Sequence, residues 1–109
     1  MREVSLDEAE KVFGSGTPED ICRVLIQLAL HETDGERVLL WCAYFLNHEN
    51  TDVASAAATG IGHLARLGRR MDVDAALEVL ECTKKRRAHI ETIEDALGDV
   101  RMFRGKPRR

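Results

Sequence analysis

The chain has 109 residues, 44% apolar and 32% charged, with a formal net charge of −3. That suffices for one compact domain rather than two, with the balance of a soluble globular protein. No run approaches the roughly 18 apolar residues of a membrane span, and the acidic, amphipathic start MREVSLDEAEKVF lacks the basic opening and apolar centre of a secretory signal.

In chain order the segments read as six helices and no strands; even the β-branched run ICRVLIQ fits a helical period better than alternation. Ser5 caps the first helix, with Glu8 three residues on as a capping box, and GSG at 14–16 ends it. Thr17 caps the second, TPEDICRVLIQLALHE, with Pro18 at its first position and acids in its first turn. TDG at 33–35 breaks the chain. Asp34 caps the third helix, GERVLLWCAYFLNHE, and NTD at 50–52 opens the fourth, which Gly68 closes. DVDAALEVLECTKK is the fifth, with Asp72 as its cap, and the sixth covers roughly 87–103 before Gly105 and Pro107. The expected organisation is one domain over 1–104 and a flexible basic tail at 105–109.

The fourth helix carries Gly60 and Gly62 in mid-run, each costing about 1 kcal/mol relative to Ala. An internal repeat accounts for them. At an offset of 36 residues Ile21, Ala57 and Ile93 coincide, as do Val24, Gly60 and Ala96. Leu25, Ile61 and Leu97 coincide too, then Leu28, Leu64 and Val100, while Gly62 falls on Gly98 and Leu67 on Phe103. A period of 36 with two helices per unit lies near the HEAT and armadillo range. DVASAAATGIGHLARLG resembles the second helix of a HEAT repeat, with its opening Asp-Val, its paired alanines and its Gly-x-Leu, and IETIEDALGDVRMF looks like a further copy. The resemblance covers 17–31, 52–68 and 88–103 well and the intervening helices loosely. It implies an all-α fold, a short right-handed α-solenoid of three HEAT-like helix pairs. In such a stack the fourth helix is the middle one of its row. Its small residues let neighbours approach from both sides, and close contact offsets the propensity cost of Gly. End repeats are expected to carry larger and more charged residues.

Residues 1–52 hold 11 acids against 4 bases, and residues 53–109 hold 8 acids against 12 bases, so the halves carry −7 and +4. Such asymmetry steers charged partners. Cys22, Cys42 and Cys82, odd in number and set among apolar neighbours, read as reduced core thiols of a cytoplasmic protein. His31, His48, His63 and His89 form no HExxH and stand at no metal-ligand step from a cysteine, so neither a metal nor a cofactor is expected. His31 and His48 suit helix C-terminal ends. Gly14-Ser15-Gly16 lacks the Lys of a phosphate loop, and DVDAALE lacks the central Gly and closing Glu of a calcium loop. KKRR at 84–87 and the closing RMFRGKPRR read either as phosphate contacts or as a solvated turn and tail. The acids that follow KKRR, at Glu91, Glu94, Asp95 and Asp99, disfavour direct nucleic-acid binding.

In a HEAT-like stack the second helices line one concave side. By the same offset, the positions expected to point away from the core are Glu19, Arg23 and Gln27; Ser55, Thr59, His63 and Arg66; and Glu91, Asp95 and Met102. This mixed polar surface is either an ordinary solvated face or a site for a specific protein partner. The third helix adds Arg37, Trp41, Tyr44 and His48 at helical spacing, residue types enriched at binding hot spots. Trp41, the single Trp of a chain short of aromatics, is expected in the core, leaving Arg37 and Tyr44 as candidate contacts.

In its size and its IEDALGDVRMF ending the chain resembles the immunity proteins that travel with polymorphic toxins, including those of contact-dependent growth inhibition (CDI) systems. That resemblance implies a cytoplasmic antidote without enzymatic activity. It would bind a cognate toxin C-terminal domain, often a nuclease, and act by occlusion. A HEAT-like interaction scaffold with no toxin link is the alternative. HEAT-like DNA glycosylases are longer and use a strongly basic groove, which this mixed face does not offer. A monomer, or a weak dimer through an exposed end of the stack, is expected.

Overall fold

Local hydrogen bonds set the helix starts. Ser5, Thr17, Asp34 and Asp72 each accept from a backbone N–H three residues on, at 3.0 to 3.2 Å. Asn50 accepts from the N–H groups of Asp52 and Val53 at 2.9 and 3.3 Å. Each cap satisfies donors that a helix leaves unpaired. The computed structural model describes residues 5–103; the expected tail at 105–109 lies outside the described residues. Behind the caps run α1 (Leu6–Ser15), α2 (Pro18–His31), α3 (Gly35–Phe45), α4 (Thr51–Arg66), α5 (Val73–Arg86) and α6 (Glu91–Phe103). The described residues contain no strand.

Gly68 closes α4 as expected. Its φ of +67° lets Gly68 N–H reach Ala65 O at 3.1 Å and Arg69 N–H reach Leu64 O at 3.0 Å, a Schellman pattern. Two other boundaries differ from expectation. Helix α3 stops at Phe45 instead of running to Glu49, and α6 starts at Glu91 instead of residue 87. One side chain explains both. Arg87 leaves helical geometry, at φ −135° and ψ 48°, and donates through Nη1 to Leu46 O at 2.9 Å and His48 O at 2.6 Å. Those carbonyls are therefore satisfied without further helix after Phe45, and residues 87–90 form a turn closed by Ile90 N–H to Arg87 O at 3.0 Å.

The helices lie in two layers. Helix α4 sits between α2 and α6 in one layer; α3 packs on α2, α4 and α5 in the other, with α1 against α2. The extents of 36 × 32 × 19 Å agree, since a helix with its side chains is about 10 Å across. All twelve positions of the four apolar columns at offset 36 are buried.

The glycines of α4 face opposite ways, as residues two apart on a helix must (about 200°). A Cβ on Gly60 would lie 3.0 Å from Cys42 Sγ in α3 and 3.6 Å from Ala29 Cβ in α2. A Cβ on Gly62 would lie 2.8 Å from Asp99 Oδ2 and 3.6 Å from Ala96 Cα, both in α6. Each missing side chain thus makes room for a different neighbour.

Two sequence expectations are corrected. Gln27, expected on the solvent side, is 7% exposed. It lies one turn from Val24 on α2 and shares that buried stripe instead of the solvent side. Of the three thiols only Cys42 is buried; Cys22 is half-buried and Cys82 exposed. Cys82 is on α5, an outermost helix with solvent on one side.

Candidate partner-binding surfaces

The expected contact residues divide between the two layers. Arg37 and Tyr44 belong to α3, and the others to α2, α4 and α6. They form two surfaces, not one.

On the first surface, apolar periodicity in α1 and α3 gathers the aromatics. The Phe13 ring centroid lies 4.7 Å from Trp41 and 4.9 Å from Phe45, and Tyr44 meets Phe45 edge-on at 5.0 Å. Phe45 is buried, whereas Trp41 is half-buried instead of fully in the core. Its outer edge joins Leu40, Tyr44, Arg37 and Glu10 around an open apolar hollow of about 310 Å³. Leu40 is 70% exposed and Tyr44 68%. Arg37 Nη2 donates to Glu10 Oε1 at 3.1 Å across the α1–α3 junction. Both partners are about half exposed, so the pair contributes about 0–1 kcal/mol.

On the second surface, Glu19, Arg23, Arg66, Glu91, Asp95 and Met102 are exposed, while Thr59 and His63 are half-buried. Arg23 pairs with Asp20 at 3.1 Å, one helical turn away. The Thr59 hydroxyl donates back to Ser55 O at 3.0 Å and is used within its own helix. Thr92 donates to Ser55 O at 3.1 Å and ties α6 to α4. This tie floors a cleft of about 310 Å³ rimmed by Asp52, His89 and Glu91. Farther along, Arg66 bonds His63 Nδ1 and pairs with Asp99 at 3.8 Å. Burial, reinforced by the Arg66 charge and opposed by Asp99, lowers the pKa of His63. Asp99 was not among the expected contacts, yet it follows His63 by 36 residues, so the period itself points to it.

The basic run at 84–87 is largely occupied. Arg87 holds the two carbonyls after α3, and Arg86 Nη2 donates to Asn47 Oδ1 at 2.7 Å. Lys84 pairs with Glu94, and its hydrogen bond and charge lower the pKa of that carboxyl. Three of the four cations therefore dock α5 and the start of α6 on their neighbours.

Among the described residues the buried polar side chains are Gln27 and Thr83, and Thr83 donates to Val79 O at 2.7 Å. No group of three His, Cys, Asp or Glu among them is placed to hold a metal ion. None of their helices is long and apolar enough to cross a membrane. Desolvated acid–base pairs, from which many catalytic sites are built, are absent from the described core. What both surfaces offer is shape, charge and exposed contact area.

No protein-family model and no curated protein matches the chain, so the HEAT-like label rests on the repeat pattern alone. Among solved structures, a chain of the crystal structure of the CDI complex from Cupriavidus taiwanensis LMG 19424 superposes with a TM-score of 0.85. The two are 31% identical, over 94% of this chain and 93% of that one. Identity at this level along nearly the whole of both chains extends past a shared fold, and the chain belongs to the family of that CDI-complex protein.

Proposed function

We propose that the chain is an immunity protein that binds and neutralises a cognate toxin domain in the cytoplasm by covering its active site or substrate surface. The observation that carries this reading is the family relationship to a component of a CDI complex. Two features of the chain support it. Its exposed surfaces are suited to recognition, and its N-terminal half is strongly acidic, which fits a toxin with a basic cleft such as a nuclease. An antidote of this kind needs no chemistry of its own. It needs fast, tight and selective association, in which complementary charge raises the on-rate and a few packed anchors slow dissociation.

Co-expression with the C-terminal domain of the protein encoded immediately upstream tests the proposal. One-to-one recovery together with rescue of growth is the expected result. A harmless upstream domain that does not co-purify removes the immunity reading and leaves an interaction module with another partner. Charge reversal at Glu91 or Asp95 is expected to slow association with the toxin without unfolding the chain. Unchanged rates in both variants would show that the α2–α4–α6 surface does not steer the encounter.

A further inference from the structure

The hollow between α1 and α3 joins residues that hold the two helices together, Trp41 on Phe13 and Arg37 with Glu10, to two that stand largely in water, Leu40 and Tyr44. Phe13 packs on Phe45 and already joins the two helices. Leu40 and Tyr44 are 70% and 68% exposed. Two large apolar side chains left in water on one helix stripe, beside a half-buried Trp, are the pattern of a binding anchor. The charge around them is one-sided. Helices α1 and α3 carry four acids (Asp7, Glu8, Glu10 and Glu36) against two bases, Lys11 and Arg37. Arg37 is already paired with Glu10 at 3.1 Å. Glu36 lies one helical turn before Leu40, and Asp7 one turn before Glu10, so acids flank the hollow.

We infer that this hollow is the anchoring site for a cationic, partly apolar segment of the toxin domain, a Lys or Arg of that segment resting on Tyr44 and Trp41 with Glu36 beside it. The inference rests on the immunity reading and assigns its main contact to the α1–α3 layer instead of the α2–α4–α6 surface. The aromatic faces attract a cation through their quadrupoles, and the acidic rim draws it in from a distance. The same rim argues against a second copy of this chain as the occupant. A two-fold contact through the hollow would bring Glu36 and Asp7 of one protomer toward their equivalents, like charge against like.

The test measures binding kinetics of the upstream-encoded toxin C-terminal domain to four full-length proteins: wild type, the double variant Leu40→Ser/Tyr44→Ser, Glu36→Lys, and Glu91→Lys/Asp95→Lys. Thermal unfolding is recorded for each. The double variant is expected to weaken binding by roughly thirtyfold or more, mainly through faster dissociation, with the melting temperature retained because both side chains are exposed. Glu36→Lys should slow association, and added salt should shrink that difference. Double-variant affinity within about twofold of wild type, alongside loss in Glu91→Lys/Asp95→Lys, overturns the inference and leaves the immunity reading intact. A wild-type dimer that the double variant splits without loss of toxin binding assigns the hollow to a second copy and also overturns it. If the wild type forms no complex, the immunity reading falls and the inference falls with it.

Discussion

Helices α4 and α6 occupy equivalent places in the 36-residue period, yet they are built in opposite ways. Helix α4 carries five alanines and two glycines and meets α2 on one side, α6 on the other and α3 across the layer. Helix α6 has α4 on one side only and α5 across the layer, and it carries Glu91, Glu94, Asp95, Arg101 and Met102 to solvent. The paired glycines make the contrast concrete. A Cβ on Gly62 would meet Asp99 at 2.8 Å, whereas a Cβ on Gly98 would meet nothing within 4 Å. Small residues in this chain follow the number of neighbours a helix must admit, and helix propensity comes second.

The strongest way to break this comparison is to put a large side chain at a crowded glycine of α4 and at the open glycine of α6. Gly60→Leu is expected to cost about 3 kcal/mol or more, because its Cβ alone would stand 3.0 Å from the buried Cys42 thiol. Gly98→Leu should change stability by less than about 1 kcal/mol. Denaturant unfolding measures both. Thiol labelling gives an independent check: burial pushes the Cys42 pKa up to about 12, so it should label only on unfolding, while exposed Cys82 labels freely. Accelerated Cys42 labelling in Gly60→Leu but not in Gly98→Leu is the expected pattern; equal stability of the two variants would refute the two-sided packing account.

Arg87 tests how the outer helix is held. With neighbours on fewer sides, α6 is docked partly through the turn before it, where Arg87 satisfies two carbonyls after α3. Arg87→Ala should lose roughly 2 kcal/mol, as expected for charged hydrogen bonds to half-buried acceptors. Lys85→Ala, in the same basic run, should stay within about 0.5 kcal/mol.

Gly98→Ala sharpens the contrast in the other direction. With open space around the new methyl group, the substitution should gain about 0.5–1 kcal/mol from helix propensity. Gly62→Ala should not show that gain, because the Asp99 carboxylate must swing away from its position near Arg66.

The smallest expected effect lies where the two helices face each other. The pKa of His63 is lowered in the folded chain from an ordinary value of 6.5. The unfolded chain therefore binds the proton more readily. The His63 contribution to stability is full above pH 6.5 and declines as the pH falls through the lower folded value. His63→Gln should flatten the unfolding free energy against pH in that acidic window and leave it unchanged above; an identical slope in both proteins would remove the assignment.

Much of the fold is legible because its causes are local. Ser5, Thr17, Asp34, Asn50 and Asp72 cap helices by bonds to residues two or three away, and Gly68 ends α4 through its own φ. The boundaries that escaped the sequence depend on Arg87, whose partners lie 39 and 41 residues earlier in the chain. Cys82 stands between Glu81 and Thr83-Lys84-Lys85 whereas Cys42 stands between Trp41 and Ala43, so their opposite exposure was partly legible in the sequence. The candidate contacts were legible as residue types. Their division into two surfaces was not, since it follows from which layer each helix joins.

The sequence by itself determined where the first five helices begin, the all-helical class, the period of 36 and the need for small residues at Gly60 and Gly62. These are set by backbone donors seeking nearby acceptors and by apolar residues recurring at helical spacing. Only the tertiary structure decided that Gln27 is covered, that Trp41 is half-buried, that the cations of 84–87 are largely occupied and that Leu40 and Tyr44 stand in water beside acids. Burial and pairing at those positions belong to whichever helix arrives from elsewhere in the chain, and no local interaction specifies that neighbour.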